Sequence, residues 1–140
     1  MSLSLVSLTK ATDALARSIN VLSRADVAQF DVELMETIEA GVIQHFEVAY
    51  ELSWKMIQRW VKDNVAGDEF SMPRTRKDLF RVAARYGLVD DPLPWFGYGE
   101  SRNKTAHTYD QDKASEVLAV AKRFLPDALF LLGQLEQLND

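Results

Sequence analysis

Eight consecutive residues, Arg102-Asn103-Lys104-Thr105-Ala106-His107-Thr108-Tyr109, gather an arginine, a primary amide, one of the chain's two histidines and a tyrosine. Histidine exchanges a proton near neutral pH. Arginine offers a planar fork of donors to phosphate oxygens and to the charge that develops on a pentacovalent phosphorus. Asn103 could orient the imidazole or donate to phosphate. In RNA the 2′-hydroxyl can attack its own phosphate, so acid–base groups and charge stabilisation suffice. The residue types therefore suit phosphodiester cleavage with no metal and no cofactor. Arg-x4-His is short enough to recur by chance, however, and taken alone it reads more readily as a solvated helix end. His107 could then merely cap local carbonyls, and Tyr109 could bury its ring with the hydroxyl at the rim.

Geometry adds a condition. Residues advance about 100° each on a regular helix. Arg102 and Tyr109 would share one side with Thr105 between them, whereas Asn103, His107 and Asp110 would share another. Arg102 and His107 would sit roughly 140° apart. Convergence needs a break near His107 or a second copy of the segment across a dimer.

Three other groups could do chemistry. Glu47 and Glu51 are spaced i,i+4 and could hold a cation, but no histidine joins them at matching spacing. Charged flanks of a packed helix are the better reading, and no metal site is expected. They could also lie near a second subunit's motif. Phe46, Tyr50, Trp54 and Trp60 could stack a base, although core packing accounts for them more simply. Arg74, Arg76, Lys77, Arg81 and Arg85 face only Asp78 in their stretch. They could guide RNA or meet an acidic partner, or they could be a solvated helix face.

The whole chain sets the limits. With 140 residues, one domain over 1–140 is expected. Cysteine is absent, which excludes disulfides, thiolate metal sites and a cysteine nucleophile. The net charge of −5 argues against whole-surface attraction to nucleic acid. The charge is uneven: residues 1–70 carry 6 Lys+Arg against 11 Asp+Glu, and residues 71–140 carry 10 of each. A local basic patch is compatible with that balance. Met1-Ser2-Leu3-Ser4-Leu5 has no basic segment before its apolar residues, and the longest apolar runs are too short to span a bilayer. A soluble, cytoplasmic protein is expected.

Helical periodicity must position the motif. Leu5, Leu8, Leu15, Ile19 and Leu22 predict a helix over residues 3–22, with a loop from Arg24-Ala25-Asp26. Ile43, Phe46, Tyr50, Ile57 and Trp60 predict the longest helix, over 32–64, ended by Gly67. Ser71 is expected to cap the next helix, with Pro73 in its first turn and Gly87 as its stop. Pro92, Pro94, Gly97 and Gly99 predict an irregular stretch over 92–99, with Trp95 and Phe96 docking inward. The motif should then begin a short helix near Ser101. Asp110 or Asp112 should cap a final helix to about Leu138, with a kink or break near Arg123 caused by Pro126. No strand is expected. The fold class is all-α: an up-and-down bundle of four long helices and one short one.

The extended string Arg102-Asn103-x3-His107-x-Tyr109 resembles the Arg-x4-His-x-Tyr signature of the HEPN superfamily. Phe46-Glu47-x-Ala49-Tyr50-Glu51-Leu52-x-Trp54-Lys55 resembles a helix of the nucleotidyltransferase substrate-binding family. Arg81-x-Ala83-x3-Gly87-Leu88-x-Asp90-Asp91 and Trp95 also fit its pattern. The resemblance covers residues 30 to 125 and departs nowhere from the motif. It implies a dimerising helical bundle that pairs with a separately encoded minimal nucleotidyltransferase. For HepT-like members it implies an RNase toxin with Arg102 and His107 catalytic and Asn103 supporting. Tyr109 would be the residue that the partner adenylylates to silence it. The other activity implied is a non-catalytic, substrate-binding subunit of a two-component nucleotidyltransferase.

Overall fold

The structure, a computed structural model, describes residues 4–28, 31–65 and 73–138. Five helices follow one another: α1 (Val6–Ala28), α2 (Val32–Asn64), α3 (Arg76–Arg85), α4 (Pro92–Asn103) and α5 (Gln111–Leu138). A 3₁₀ turn, Thr105–His107, joins α4 to α5. The described residues contain no strand. The all-α bundle is as expected, with three long helices and two of ten and twelve residues.

The longest helix, α2, spans about 50 Å at 1.5 Å per residue. The Asp31 side chain caps it by accepting the Leu34 N–H at 2.9 Å. α1 lies along α2, and α5 packs against both. The stripes that do this are Leu8, Leu15 and Leu22 on α1 and Val42, Phe46, Ala49, Tyr50 and Ile57 on α2. On α5 they are Val117, Ala121, Phe124, Ala128, Leu131 and Leu135. Each recurs at steps of three, four or seven residues, so one face of every helix leaves water.

α3 and α4 close the other side through a cluster of rings. Phe124 of α5 meets Phe46, Trp95 and Tyr98 edge-on at 5.3, 5.5 and 5.1 Å between centroids. Phe80 of α3 meets Trp95 at 5.3 Å. Such pairs contribute about 0.5–1.5 kcal/mol each beyond the area they bury. The cluster fixes α4, and α4 carries the start of the motif.

Several elements differ from expectation. α1 does not end at Arg24-Ala25-Asp26 but runs to Ala28, because Ala25 is fully buried and extends the stripe of Leu15 and Leu22. Residues 92–99 are not irregular; they are the first two turns of α4. Asp91 accepts the Leu93 N–H at 3.0 Å, and Pro92 opens the helix where no N–H is needed. The motif therefore ends a helix rather than starting one near Ser101. Trp95 is buried as expected, and Phe96 is half-buried. Thr75 caps α3 by accepting the Asp78 N–H at 3.1 Å. The expected cap Ser71 and stop Gly67 lie outside the described residues.

Gly87 does stop α3. Its φ of 82° is left-handed, and the Leu88 N–H reaches back to the Ala83 carbonyl at 2.9 Å. The side chain of Gln134 on α5 donates to the Gly87 carbonyl at 2.9 Å, tying this corner to the bundle. α5 does not break at Pro126 but continues through it. The Tyr98 hydroxyl meets the turn around Pro126, bonded to the Asp127 carboxylate and 3.3 Å from the Arg123 carbonyl. Asp110 rather than Asp112 begins this helix: its carboxylate accepts the Asp112 N–H at 2.9 Å.

Candidate functional site

The motif is bent at its middle. α4 ends at Asn103, and the chain then tightens through successive bonds of the 3₁₀ type. The Lys104 N–H bonds Ser101 O, the His107 N–H bonds Lys104 O and the Asp110 N–H bonds His107 O, at 3.0, 3.0 and 3.1 Å. Thr105 is the pin. Its buried hydroxyl donates to the Arg102 carbonyl at 2.8 Å and accepts from the Arg102 guanidinium at 3.1 Å. The regular-helix register expected for Arg102 through Asp110 therefore does not apply beyond Asn103.

The break that convergence required is present, yet Arg102 and His107 are not joined. Arg102 turns toward α2. Its guanidinium lies 3.5 Å from a Glu47 oxygen and 3.3 Å from a Glu51 oxygen, with about a third of the side chain exposed. Glu51 also accepts the Trp54 indole N–H at 3.0 Å. Glu47 and Glu51 thus hold the motif arginine of their own chain. The i,i+4 spacing places both carboxylates on one face of α2. Being half-solvated, the pairs contribute little to stability, roughly 1 kcal/mol or less. Their chief effect is to fix where the charge points.

His107 is exposed on the turn, and its ring meets the Tyr109 ring edge-on at 6.3 Å between centroids. Tyr109 is 88% exposed. It borders a shallow cavity with Glu36 and Glu39 of α2 rather than lying beside Arg102. The buried-ring alternative for Tyr109 is thereby excluded, and so is the argument that set Tyr109 on the same helical side as Arg102.

Asn103 is exposed and opens onto a different cavity, of about 180 Å³, between α2, α3 and α4. Arg76 and Lys77 line its rim. The basic cluster divides here. Arg76 stacks over the Trp54 ring at 4.2 Å, and Arg74 joins the two around a neighbouring cavity of about 230 Å³. Arg81 is paired with Asp78 at 2.7 Å and lies over Phe96 at 5.2 Å. Arg85 sits exposed in the last turn of α3. Arg76 and Lys77 border the cavity onto which Asn103 opens, Arg74 borders only the neighbouring one, and Arg81 is partly neutralised.

Two tyrosine hydroxyls, of Tyr50 and Tyr98, carry chemistry that the sequence does not display. The Tyr50 ring is fully buried in the core as expected, but among the described residues its hydroxyl makes no hydrogen bond of good geometry, the Arg76 guanidinium being the group beside it. Burial pushes this phenol above its ordinary range, and the nearby Arg76 charge opposes the rise. The Tyr98 phenol is pushed further up, by burial and then by the Asp127 carboxylate it bonds. Had residues 92–103 been read as a helix, the three- and four-residue steps from Asn103 back to Glu100, Gly99 and Phe96 would have drawn attention to this face.

The chain has clear relatives. A family described as nucleotidyltransferase substrate binding protein like matches residues 3–137. A protein named probable ribonuclease HepT, from Haemophilus influenzae, is 40% identical over 122 residues, covering 85% of this chain and 84% of that protein. A solved structure from Haemophilus influenzae, described as the fold of a substrate binding domain of a nucleotidyltransferase, superposes with a TM-score of 0.86. It shares 38% identity over 95% of this chain and 99% of the other. A protein from Thermus thermophilus shares the fold, with a TM-score of 0.67 at 23% identity over 89% of this chain and 98% of the other. Matched along nearly its whole length, the chain belongs to the nucleotidyltransferase substrate binding protein like family and is a HepT-like member of it.

Proposed function

We propose that this chain is a metal-independent RNase toxin, silenced when a minimal nucleotidyltransferase partner adenylylates Tyr109. The observation that carries the proposal is the exposed His107–Tyr109 pair on a pinned turn. An imidazole there is reachable by RNA, and a phenol 88% exposed is reachable by a modifying enzyme. The 40% identical relative named probable ribonuclease HepT supports the same activity.

In this mechanism the 2′-hydroxyl attacks the adjoining phosphorus as His107 handles the proton. The bond to the 5′-oxygen breaks, leaving a 2′,3′-cyclic phosphate and a 5′-hydroxyl. Arg102 offsets the charge gathering on the phosphoryl oxygens, and Asn103 supports the site. Since Arg102 is held on α2 and does not touch His107, the working unit is a homodimer in which one copy's His107 meets the other's Arg102. AMP on Tyr109 adds a phosphate charge and a nucleoside next to His107, where RNA must enter. The cytoplasm is the setting this pairing requires.

Mass spectrometry of product ends tests the chemistry. Short RNAs incubated with the protein in EDTA should yield cyclic phosphate and 5′-hydroxyl termini. Intact RNA, with the protein shown by mass to lack AMP, would reject it.

A second reading is a non-catalytic, substrate-binding subunit of a two-component nucleotidyltransferase. The capture of Arg102 by Glu47 and Glu51 favours it, because the arginine is then structural. So does the solved relative described as a substrate binding domain. It predicts a stable complex without RNA turnover, impaired by changes on the α2 surface and indifferent to His107→Ala.

A further inference from the structure

The cavity beside Asn103 is built for more than a phosphate. At about 180 Å³ it lies below the roughly 300 Å³ at which sites for drug-sized ligands begin, so it holds a single flat ring system. Its walls are aromatic: Phe80, Trp95 and Phe96. Its polar groups are few and differ in kind. Tyr50 presents a hydroxyl, Asn103 an amide and Glu100 a carboxylate, and Arg76 and Lys77 stand at the edge.

The Tyr50 hydroxyl is the telling atom. It is buried and, among the described residues, makes no hydrogen bond of good geometry, although the Arg76 guanidinium stands beside it. It points at Gly99, where a Cβ would come within 2.7 Å of the oxygen. Glycine at 99 leaves the room that this hydroxyl occupies, so the phenol reaches the α4 backbone at the inner end of the cavity.

We propose that this cavity receives one nucleobase of the RNA strand, next to the nucleotide whose bond is cut. This rests on the RNase reading above. The base lies against Phe96, the half-buried ring of the wall. The Tyr50 hydroxyl, the Asn103 amide and the Glu100 carboxylate meet its edge, and Arg76 and Lys77 hold the phosphates to either side. A carboxylate at the pocket disfavours a phosphate there and suits a base with N–H donors. The aromatic wall with flanking cations is the arrangement that binds single strands. The pocket is therefore the source of base selectivity.

Binding measured without cleavage separates this from the RNase assignment. His107→Ala protein is titrated with fluorescent oligo(A), oligo(C), oligo(G) and oligo(U), followed by anisotropy, with AMP as a competitor. The four RNAs should differ in affinity. Adding Glu100→Gln or Tyr50→Phe should shrink that difference by about fivefold to tenfold, the loss of one hydrogen bond. Lys77→Ala should weaken all four alike. Glu100 is exposed, so Glu100→Gln reports even where Tyr50→Phe disturbs the core. Equal binding of all four RNAs, discrimination that survives both substitutions, or AMP binding as tightly as RNA would overturn the pocket. If discrimination depends on these residues yet the wild-type protein cuts no RNA, the pocket stands and the RNase reading fails.

Discussion

At the scale of single residues, the motif depends on neighbours that its spacing does not reveal. Arg102 is aimed by Glu47, Glu51 and Thr105, three side chains on two other elements. Replacing both glutamates (Glu47→Gln with Glu51→Gln) should lower stability by less than about 1 kcal/mol in urea unfolding. RNA cleavage should fall by at least about tenfold, because a freed guanidinium is no longer pre-positioned. Cleavage that stays at the wild-type rate would show that the pair plays no part. The residue types of the motif were plain in the sequence, and so was the exposure that a polar segment implies. The partners of Arg102 on α2 were not, since they sit more than fifty positions away and meet it only through packing. In the sequence Glu47 and Glu51 read as charged helix flanks, a weak cation pair or neighbours of a second subunit's motif, not as partners of their own chain's arginine.

At the scale of elements, α4 decides where the site lies, and it was the element least legible in advance. Two prolines and two glycines over 92–99 suggested an irregular stretch. Pro92 and Pro94 both fall in the first turn, where a helix has no use for their missing N–H groups. Gly97 and Gly99 lower helix propensity, but Trp95 and Tyr98 bury against Phe80 and Phe124 and outweigh it. The long helices were legible because their stripes run for six turns or more. Even there, local polarity at Arg24 and Asp26 hid the last turn of α1. Asp91→Ala should cost about 1 kcal/mol by removing the α4 cap, read as a lower urea midpoint. Gly87→Ala should cost about 1–2 kcal/mol by forcing a side chain into a left-handed backbone. An unchanged midpoint in either variant would mean that the corner it closes is slack.

At the scale of the whole molecule, the bundle couples its core to pH, and the proposed mechanism couples its motif to a second copy. The raised Tyr50 and Tyr98 phenols keep their protons when folded at a pH where the unfolded chain, near 10.0, has begun to lose them. Stability from this source is complete below that value and falls as pH rises beyond it. Urea midpoints at about pH 8 and about pH 10.5 should differ more in wild type than in Tyr98→Phe. An equal drop in both proteins would remove Tyr98 from the account. Assembly is a further consequence. Mixing inactive Arg102→Ala with inactive His107→Ala should restore cleavage through hybrid dimers, each holding one intact composite site. Continued inactivity, with exchange confirmed by mass, would place both groups in a single chain's site.

The proposed mechanism stands or falls on His107 as the group that does acid–base chemistry on RNA. The most direct measurement is the single-turnover rate of RNA cleavage in EDTA for AMP-free wild type against His107→Ala, with both shown helical by circular dichroism. A loss of at least about a hundredfold is expected, the usual weight of a general acid or base. A His107→Ala protein that cuts RNA at the wild-type rate would contradict it.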